Sequence, residues 1–241
     1  TAALASGEID ESSTVFCGMK YTFFDDYQPG CLSFHRDINV ITALQKSCNI
    51  FFYDVGRRIG IDRINYYASS FGMGQPTGIE LPERVGRLSS PEFSKSVGET
   101  WTGGNVIQAA IGQGDTMLSP LQLANYTATL ANGGQRMEVT ILKSVRSYNL
   151  EQAVYDHEPQ VAASIDAPEA LEAVKEGMVS VARQGTARGT FASYPLDVAA
   201  KTGSPQTPQG INSVFIAYAP ADDPEIAVAV VLEKGWEGYT G

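Results

Sequence analysis

Long apolar runs, blocks of like charge and internal repeats are all missing from this 241-residue chain. No stretch approaches the ~20 apolar residues that a membrane span needs. No basic segment followed by an apolar core marks a signal peptide. Basic residues are scarce: 17 Lys and Arg stand against 27 acids, a formal net charge of -10 from scattered carboxylates. Phosphate binding requires clustered cations, so a nucleic-acid partner is excluded. The densest basic pairs, Lys143/Arg146 and Arg57/Arg58, read as solvated surface. With no low-complexity tract or composition shift to divide it, the chain is expected to be a single domain over residues 1–241. Its 43% apolar content suffices for a core of that size.

The periodicity changes along the chain. Thr1 to Gly7 read as the last turns of a helix closed by glycine, and residues 14 to 35 as short strands and loops. Ile38, Ile41 and Leu44, then Ile50, Phe51, Val55 and Ile59, recur at three- and four-residue intervals. They predict two helices broken around Ser47-Cys48-Asn49. Further helices are expected at about 62 to 71, 119 to 132 and 168 to 183, with Pro120 in a first turn. Tyr66, Tyr67 and Phe71 at helical spacing read as core. In the last third, Val198 to Lys201, Ser213 to Tyr218 and Ile226 to Leu232 are strand-like, the last two forming an antiparallel hairpin around Pro220 to Pro224. Helices in the middle and strands at the end predict an α+β architecture.

Two short motifs stand in telling contexts: Ser47-Cys48-Asn49 between helices, and Lys201-Thr202-Gly203-Ser204 at the end of a strand. Between them lie Gly112-Gln113-Gly114, Ser119 to Ala124 and Asn132-Gly133-Gly134. Phe71 to Gly74, Thr77 to Ile79 and Phe215 to Pro220 complete the pattern. In these segments, over nearly its whole length, the chain resembles the class B penicillin-binding proteins. Their second and third active-site signatures are Ser-x-Asn and Lys-Thr-Gly, roughly 150 residues apart. The resemblance implies a penicillin-binding protein/serine β-lactamase-like fold, a helical cluster packed on an antiparallel sheet. It also implies a peptidoglycan D,D-transpeptidase that is trapped by β-lactams.

The resemblance gives each motif residue a role. Lys201 would offer a cation at a strand edge to the substrate's terminal carboxylate, with Thr202 and Ser204 donating to the same anion. Gly203 would let the substrate backbone approach the strand. Because Pro205 has no N–H, the donor to the acyl oxygen is expected at Gln206. Ser47 would relay a proton to the leaving amine and Asn49 would bond the substrate amide. The plain alternatives are helix caps for Ser47 and Asn49 and a surface lysine for Lys201.

The family's nucleophile motif, Ser-x-x-Lys, is absent. The residues three before the seven lysines are Cys17, Ala43, Glu92, Thr140, Glu172, Val198 and Val231. By the resemblance, serine and lysine would precede Thr1, with the first sheet strands and a membrane anchor further upstream and a closing helix beyond Gly241. The chain alone is then expected to be unable to acylate.

Cysteine is rare too, yet all three cysteines and one of two histidines, Cys17, Cys31, His35 and Cys48, crowd into one stretch that ends inside the first motif. Four such ligands suit tetrahedral zinc, and some class B penicillin-binding proteins hold zinc beside the active site through a His and the Cys of this motif. A Cys17–Cys31 disulfide or buried thiols are the alternatives. Gly112-x-Gly114 lacks a third glycine and a preceding strand, so no nucleotide is implied. Three readings follow: a transpeptidase working with the cell-wall synthesis machinery on the extracytoplasmic face of the membrane, a non-catalytic sensor of β-lactams or cell-wall peptides, and a serine β-lactamase. The third is disfavoured because no Glu-containing deacylation motif is recognisable.

Overall fold

A computed structural model describes residues 1–235; the last six positions of the expected domain lie outside the described residues. The first part is helical: α1 (Ala2–Ala5), β1 (Val15–Cys17), β2 (Arg36–Ile38), α2 (Val40–Lys46), α3 (Asn49–Ser70), α4 (Pro91–Ser96), α5 (Gly103–Ala110) and α6 (Pro120–Ala131). Short strands β3 (Gln135–Met137), β4 (Ser144–Arg146), β5 (Ala153–Asp156) and β6 (Val161–Ser164) pair as β3–β6 and β4–β5. Then come α7 (Pro168–Arg183), α8 (Arg188–Phe191), β7 (Ala199–Gly203), β8 (Gln206–Thr207), β9 (Gly210–Ile211), β10 (Ser213–Ala219) and β11 (Ile226–Leu232).

The sheet that matters for the site is antiparallel, in the order β11-β10-β7. Ser213 faces Leu232 and Ala219 faces Ile226 across the expected hairpin. Lys201 faces Ile216 and Gly203 faces Val214 across the other pairing. Among the described residues β7 is an edge strand, so its outer backbone groups are not used by this sheet.

Helix α7 follows from its sequence. Leu171, Val174, Met178 and Val181 recur every three or four residues, all 7% exposed or less, and form one apolar stripe. The stripe packs on Ala199, Ala200, Ala217 and Tyr218 of the sheet, where three alanines let helix and strands approach closely. Beside this stripe α7 carries glycine where α2 crosses it. A Cβ at Gly177 would lie 2.5 Å from Leu44 Cδ1, and one at Gly185, just past the helix, 2.3 Å from the Gln45 carbonyl oxygen. Bare backbone at these two positions therefore sets how near the end of α2 comes to β7.

The other core joins α1, β1, α2, α3 and α5 through Cys17, Val40, Ala43, Ile50, Phe51 and Ile107. Helix starts obey local chemistry. Ser119 Oγ accepts the Gln122 N–H while Gln122 Oε1 accepts the Ser119 N–H, ahead of the apolar face of α6. The two helices expected on either side of residue 60 meet at a kink within α3, where Gly60 has non-helical backbone at φ 75°. One expectation needs correction. Tyr66 is not core: it is 68% exposed, because it lies on the outer face of α3, while Phe71 is buried.

Candidate active site and metal cluster

Ser47 sits at the junction of α2 and α3 with left-handed backbone, φ 51° and ψ 51°. A serine pays about 1–2 kcal/mol for that conformation, which persists only where neighbouring structure fixes it. Two backbone bonds do so: the Ser47 N–H donates to the Leu44 carbonyl at 3.2 Å, and the Cys48 N–H to the Ala43 carbonyl at 2.9 Å. Cys48 caps α3, and Asn49 is its first residue.

Across 154 residues of sequence, Lys201 Nζ donates to Ser47 Oγ at 2.6 Å and to its neighbour's carbonyl, Thr202 O, at 2.7 Å. The ammonium thus turns inward to the α2–α3 turn instead of standing at the strand edge. Burial lowers its pKa from 10.5 to about 8. A lysine poised there can hold or release a proton near neutral pH beside a serine hydroxyl.

The remaining motif residues surround this pair. Thr202 Oγ1 lies 2.7 Å from Thr186 Oγ1, on the turn after α7. Gly203 ends β7, and a Cβ there would meet nothing closer than Val214 Cβ at 3.6 Å. Ser204 is exposed just beyond the strand. The Gln206 N–H, expected to face an acyl oxygen, donates to Gln113 Oε1 at 3.3 Å. Asn49 Nδ2 donates to the Gly30 carbonyl at 3.3 Å, tying α3 to the loop between β1 and β2. Sequence reasoning singled out Gln113 only as part of a family-like segment and passed over Thr186. Neither sits in a motif that announces chemistry, and their roles arise only from folding.

The β1–β2 loop carries the second constellation. The ligand atoms of Cys17, Cys31, His35 and Cys48 all lie within 4.8 Å of one another. Cys31 Sγ is 3.8 Å from Cys48 Sγ, and His35 Nδ1 is 3.5 Å from Cys17 Sγ and 3.7 Å from Cys31 Sγ. A tetrahedron with Zn–S of about 2.3 Å and Zn–N of about 2.0–2.1 Å has edges of about 3.8 Å and about 3.6 Å. These three separations match such edges, so the four donors could hold a metal ion, and the cysteines are free thiols in this arrangement. The contact between Cys31 and Cys48 draws the first thiol's pKa down and, with burial, pushes the second up. The loop is also pinned to α3 from its far side. Tyr21 OH donates to Asp54 Oδ1 at 3.1 Å, Arg57 Nε donates to Tyr21 OH at 2.8 Å, and the Arg57 guanidinium lies 3.8 Å from the Phe23 ring centroid. Arg57 is therefore a structural residue, not a solvated one.

The family model for the penicillin binding protein transpeptidase domain matches residues 1–241. Penicillin-binding protein 2A of Bacillus subtilis is 35% identical over 234 residues, covering 84% of this chain and 31% of that protein. Peptidoglycan D,D-transpeptidase MrdA of Escherichia coli is 31% identical over 266 residues, covering 98% of this chain and 41% of that protein. The crystal structure of Pseudomonas aeruginosa PBP2 in complex with WCK 5153 superposes with a TM-score of 0.86 at 30% identity, covering 99% of this chain and 55% of that one. The chain thus spans about a third to two-fifths of the length of these curated relatives.

The lowered pKa of Lys201 has a measurable sign. Below about pH 8 the folded protein carries a buried charge; between about 8 and 10.5 the unfolded chain holds a proton that the fold has released, so this group's contribution to stability rises with pH. Urea unfolding of the chain and of Lys201→Met should give a stability difference that moves in favour of the unsubstituted chain between pH 7 and pH 10. A difference that stays flat over that range contradicts the buried-lysine assignment.

Proposed function

The chain belongs to the penicillin-binding protein transpeptidase family, and from that premise we propose that it supplies the substrate-positioning half of a peptidoglycan D,D-transpeptidase site. The observation that carries this reading is the Lys201–Ser47 contact, with Asn49, Thr202 and Ser204 ranged around it. The substrate is a stem peptide lying along the free edge of β7, where Gly203 leaves room for its backbone. Thr202 and Ser204 take its terminal carboxylate, with the Lys201 charge behind them. Asn49 bonds the substrate amide once the Gly30 carbonyl releases it, and the Gln206 N–H turns from Gln113 to the acyl oxygen.

The nucleophile is a serine on a Ser-x-x-Lys turn, which none of the seven lysines here supplies. As its Oγ bonds to the penultimate carbonyl carbon, its proton passes to the lysine of that turn; the C–N bond then breaks, and the proton reaches the departing amine through Ser47. An acceptor amine then attacks the ester, re-forming an amide and freeing the serine. This chemistry belongs to the extracytoplasmic face of the membrane, where peptidoglycan is cross-linked. Among the described residues no helix is long and apolar enough to cross a membrane. A sensor that binds β-lactams or cell-wall peptides without turnover is the second reading, favoured only by the lack of Ser-x-x-Lys.

Intact-mass analysis after exposure to a β-lactam separates these readings. The expected result is no adduct on this chain and one covalent adduct on a version extended upstream through the Ser-x-x-Lys turn. An adduct on the short chain would make Ser47, beside Lys201, the nucleophile and overturn the assignment; no adduct on either selects the sensor.

We further assign Cys17, Cys31, His35 and Cys48 as the ligands of a structural zinc. A closed set of four protein ligands leaves no open position for substrate, so the metal's contribution is cohesion. Those ligands bind the β1–β2 loop to the cap of α3 and thereby hold Ser47 and Asn49. Thiol titration with and without a chelator is the check. Three thiols reacting only after chelation, accompanied by release of about one zinc per chain, is expected; a single reactive thiol under both conditions indicates a disulfide and contradicts the zinc.

A further inference from the structure

Beside Thr202 lies a groove that none of the roles above uses. It measures about 490 Å³ and runs between the last turn of α2 and the segment joining α7 to α8, with His35 at its border. Its side chains are Gln45, Lys46, Gln184, Thr186 and Arg188. One of its lining residues touches the strand that carries Lys201, since Thr186 Oγ1 is the group 2.7 Å from Thr202 Oγ1.

Its charge is at odds with the rest of the molecule. The chain carries ten more acids than bases, from 27 against 17, yet among the described residues no acid lines this groove. Five cations elsewhere, Arg57, Arg58, Arg146, Lys175 and Arg183, face carboxylates. Lys46 and Arg188 have no carboxylate within ion-pair distance among the described residues, and both are exposed. Two unpaired cations, two primary amides and a hydroxyl converging on one depression make a complementary surface for an anion.

Position identifies which anion. On the proposed reading, Thr202 binds the end of the donor peptide that departs as an amine. A groove continuing past Thr202 therefore lies where the next amine must enter. We propose that this groove binds a carboxylate carried by the acceptor amine's peptide, held by Lys46 and Arg188 and steered by Thr186. Gripping that carboxylate orients the amine toward the acyl carbon and removes much of the orientational freedom that would otherwise slow its attack. Lys46 and Arg188 are then specificity-determining residues for the acceptor, and Thr186 is shared between the acceptor groove and the donor strand.

This inference rests on the transpeptidase reading, and heteronuclear NMR of the chain tests the two separately without requiring acylation. The probes are diaminopimelate, which carries amines with adjacent carboxylates; cadaverine, its counterpart without carboxylates; acetate; and N-acetyl-D-alanyl-D-alanine as the donor-strand control. Diaminopimelate is expected to shift the Gly185, Thr186 and Gly189 amides, and Lys46→Gln and Arg188→Gln each to weaken it by about three- to fivefold, as for exposed charge pairs. Cadaverine should leave those amides unmoved, and acetate at equal carboxylate concentration should shift them far less. The inference is overturned if the double variant binds diaminopimelate unchanged, if cadaverine or acetate matches it, or if the shifts are confined to Lys201 to Ser204. The donor control distinguishes the two failures. If N-acetyl-D-alanyl-D-alanine shifts Lys201 to Ser204 while the groove stays silent, the transpeptidase reading stands and the acceptor groove falls. If the groove responds and the strand does not, the groove is an anion site without a donor strand, and the transpeptidase reading and the acceptor role fall together.

Discussion

The hydrogen bond from Lys201 to Ser47 is possible only because α2 can lie directly against α7 and the end of β7. Gly177 and Gly185 permit that approach, since a Cβ at either would collide with Leu44 or with the Gln45 carbonyl. On one side the contact fixes a strand edge; on the other it fixes a left-handed turn between two helices. Around that junction gather a lysine with lowered proton affinity, two threonine hydroxyls, an asparagine amide and the cationic groove. The substrate-positioning roles proposed for Ser47 and Lys201 depend on that approach. Neither Ser47 nor Lys201 has another described side-chain group to replace its partner.

The cysteine cluster serves the same junction from the opposite direction. Cys48 is both the N-cap residue of α3 and one of four converging donors, so what holds the cluster together also holds the residues before and after it. The Asn49 bond to Gly30 and the Tyr21–Asp54–Arg57 contacts tie the same loop down at further points. A strained serine conformation thus has support on three sides, which is how an unfavourable backbone persists where chemistry needs it.

Much of this was legible in the sequence, for identifiable reasons. Short-range chemistry announced the helix start at Pro120, the helix at 168 to 183 and the β10–β11 hairpin, because each depends on neighbours within a few residues. Ser47, Asn49 and Lys201 to Ser204 were found through motif spacing, and the four metal-binding candidates through their crowding in a cysteine-poor chain. Long-range packing hid the rest. The inward turn of Lys201 follows from the α2–α7 approach, and Thr186 becomes part of the site only because Gly185 brings its turn to the strand. Residues 135–164 form two small antiparallel pairs, β3–β6 and β4–β5, which sequence reading did not assign. Their three- and four-residue strands are too short to establish a period.

A double-mutant cycle on Ser47→Ala and Lys201→Met, read by urea unfolding at pH 7, tests the junction most directly. If the two side chains bond as described, their combined effect should depart from the sum of the single effects by about 0.5–3 kcal/mol, as for directly contacting partners. Effects that add to within about 0.3–0.5 kcal/mol would mean the residues act independently, and the account of a site assembled around their contact would fail.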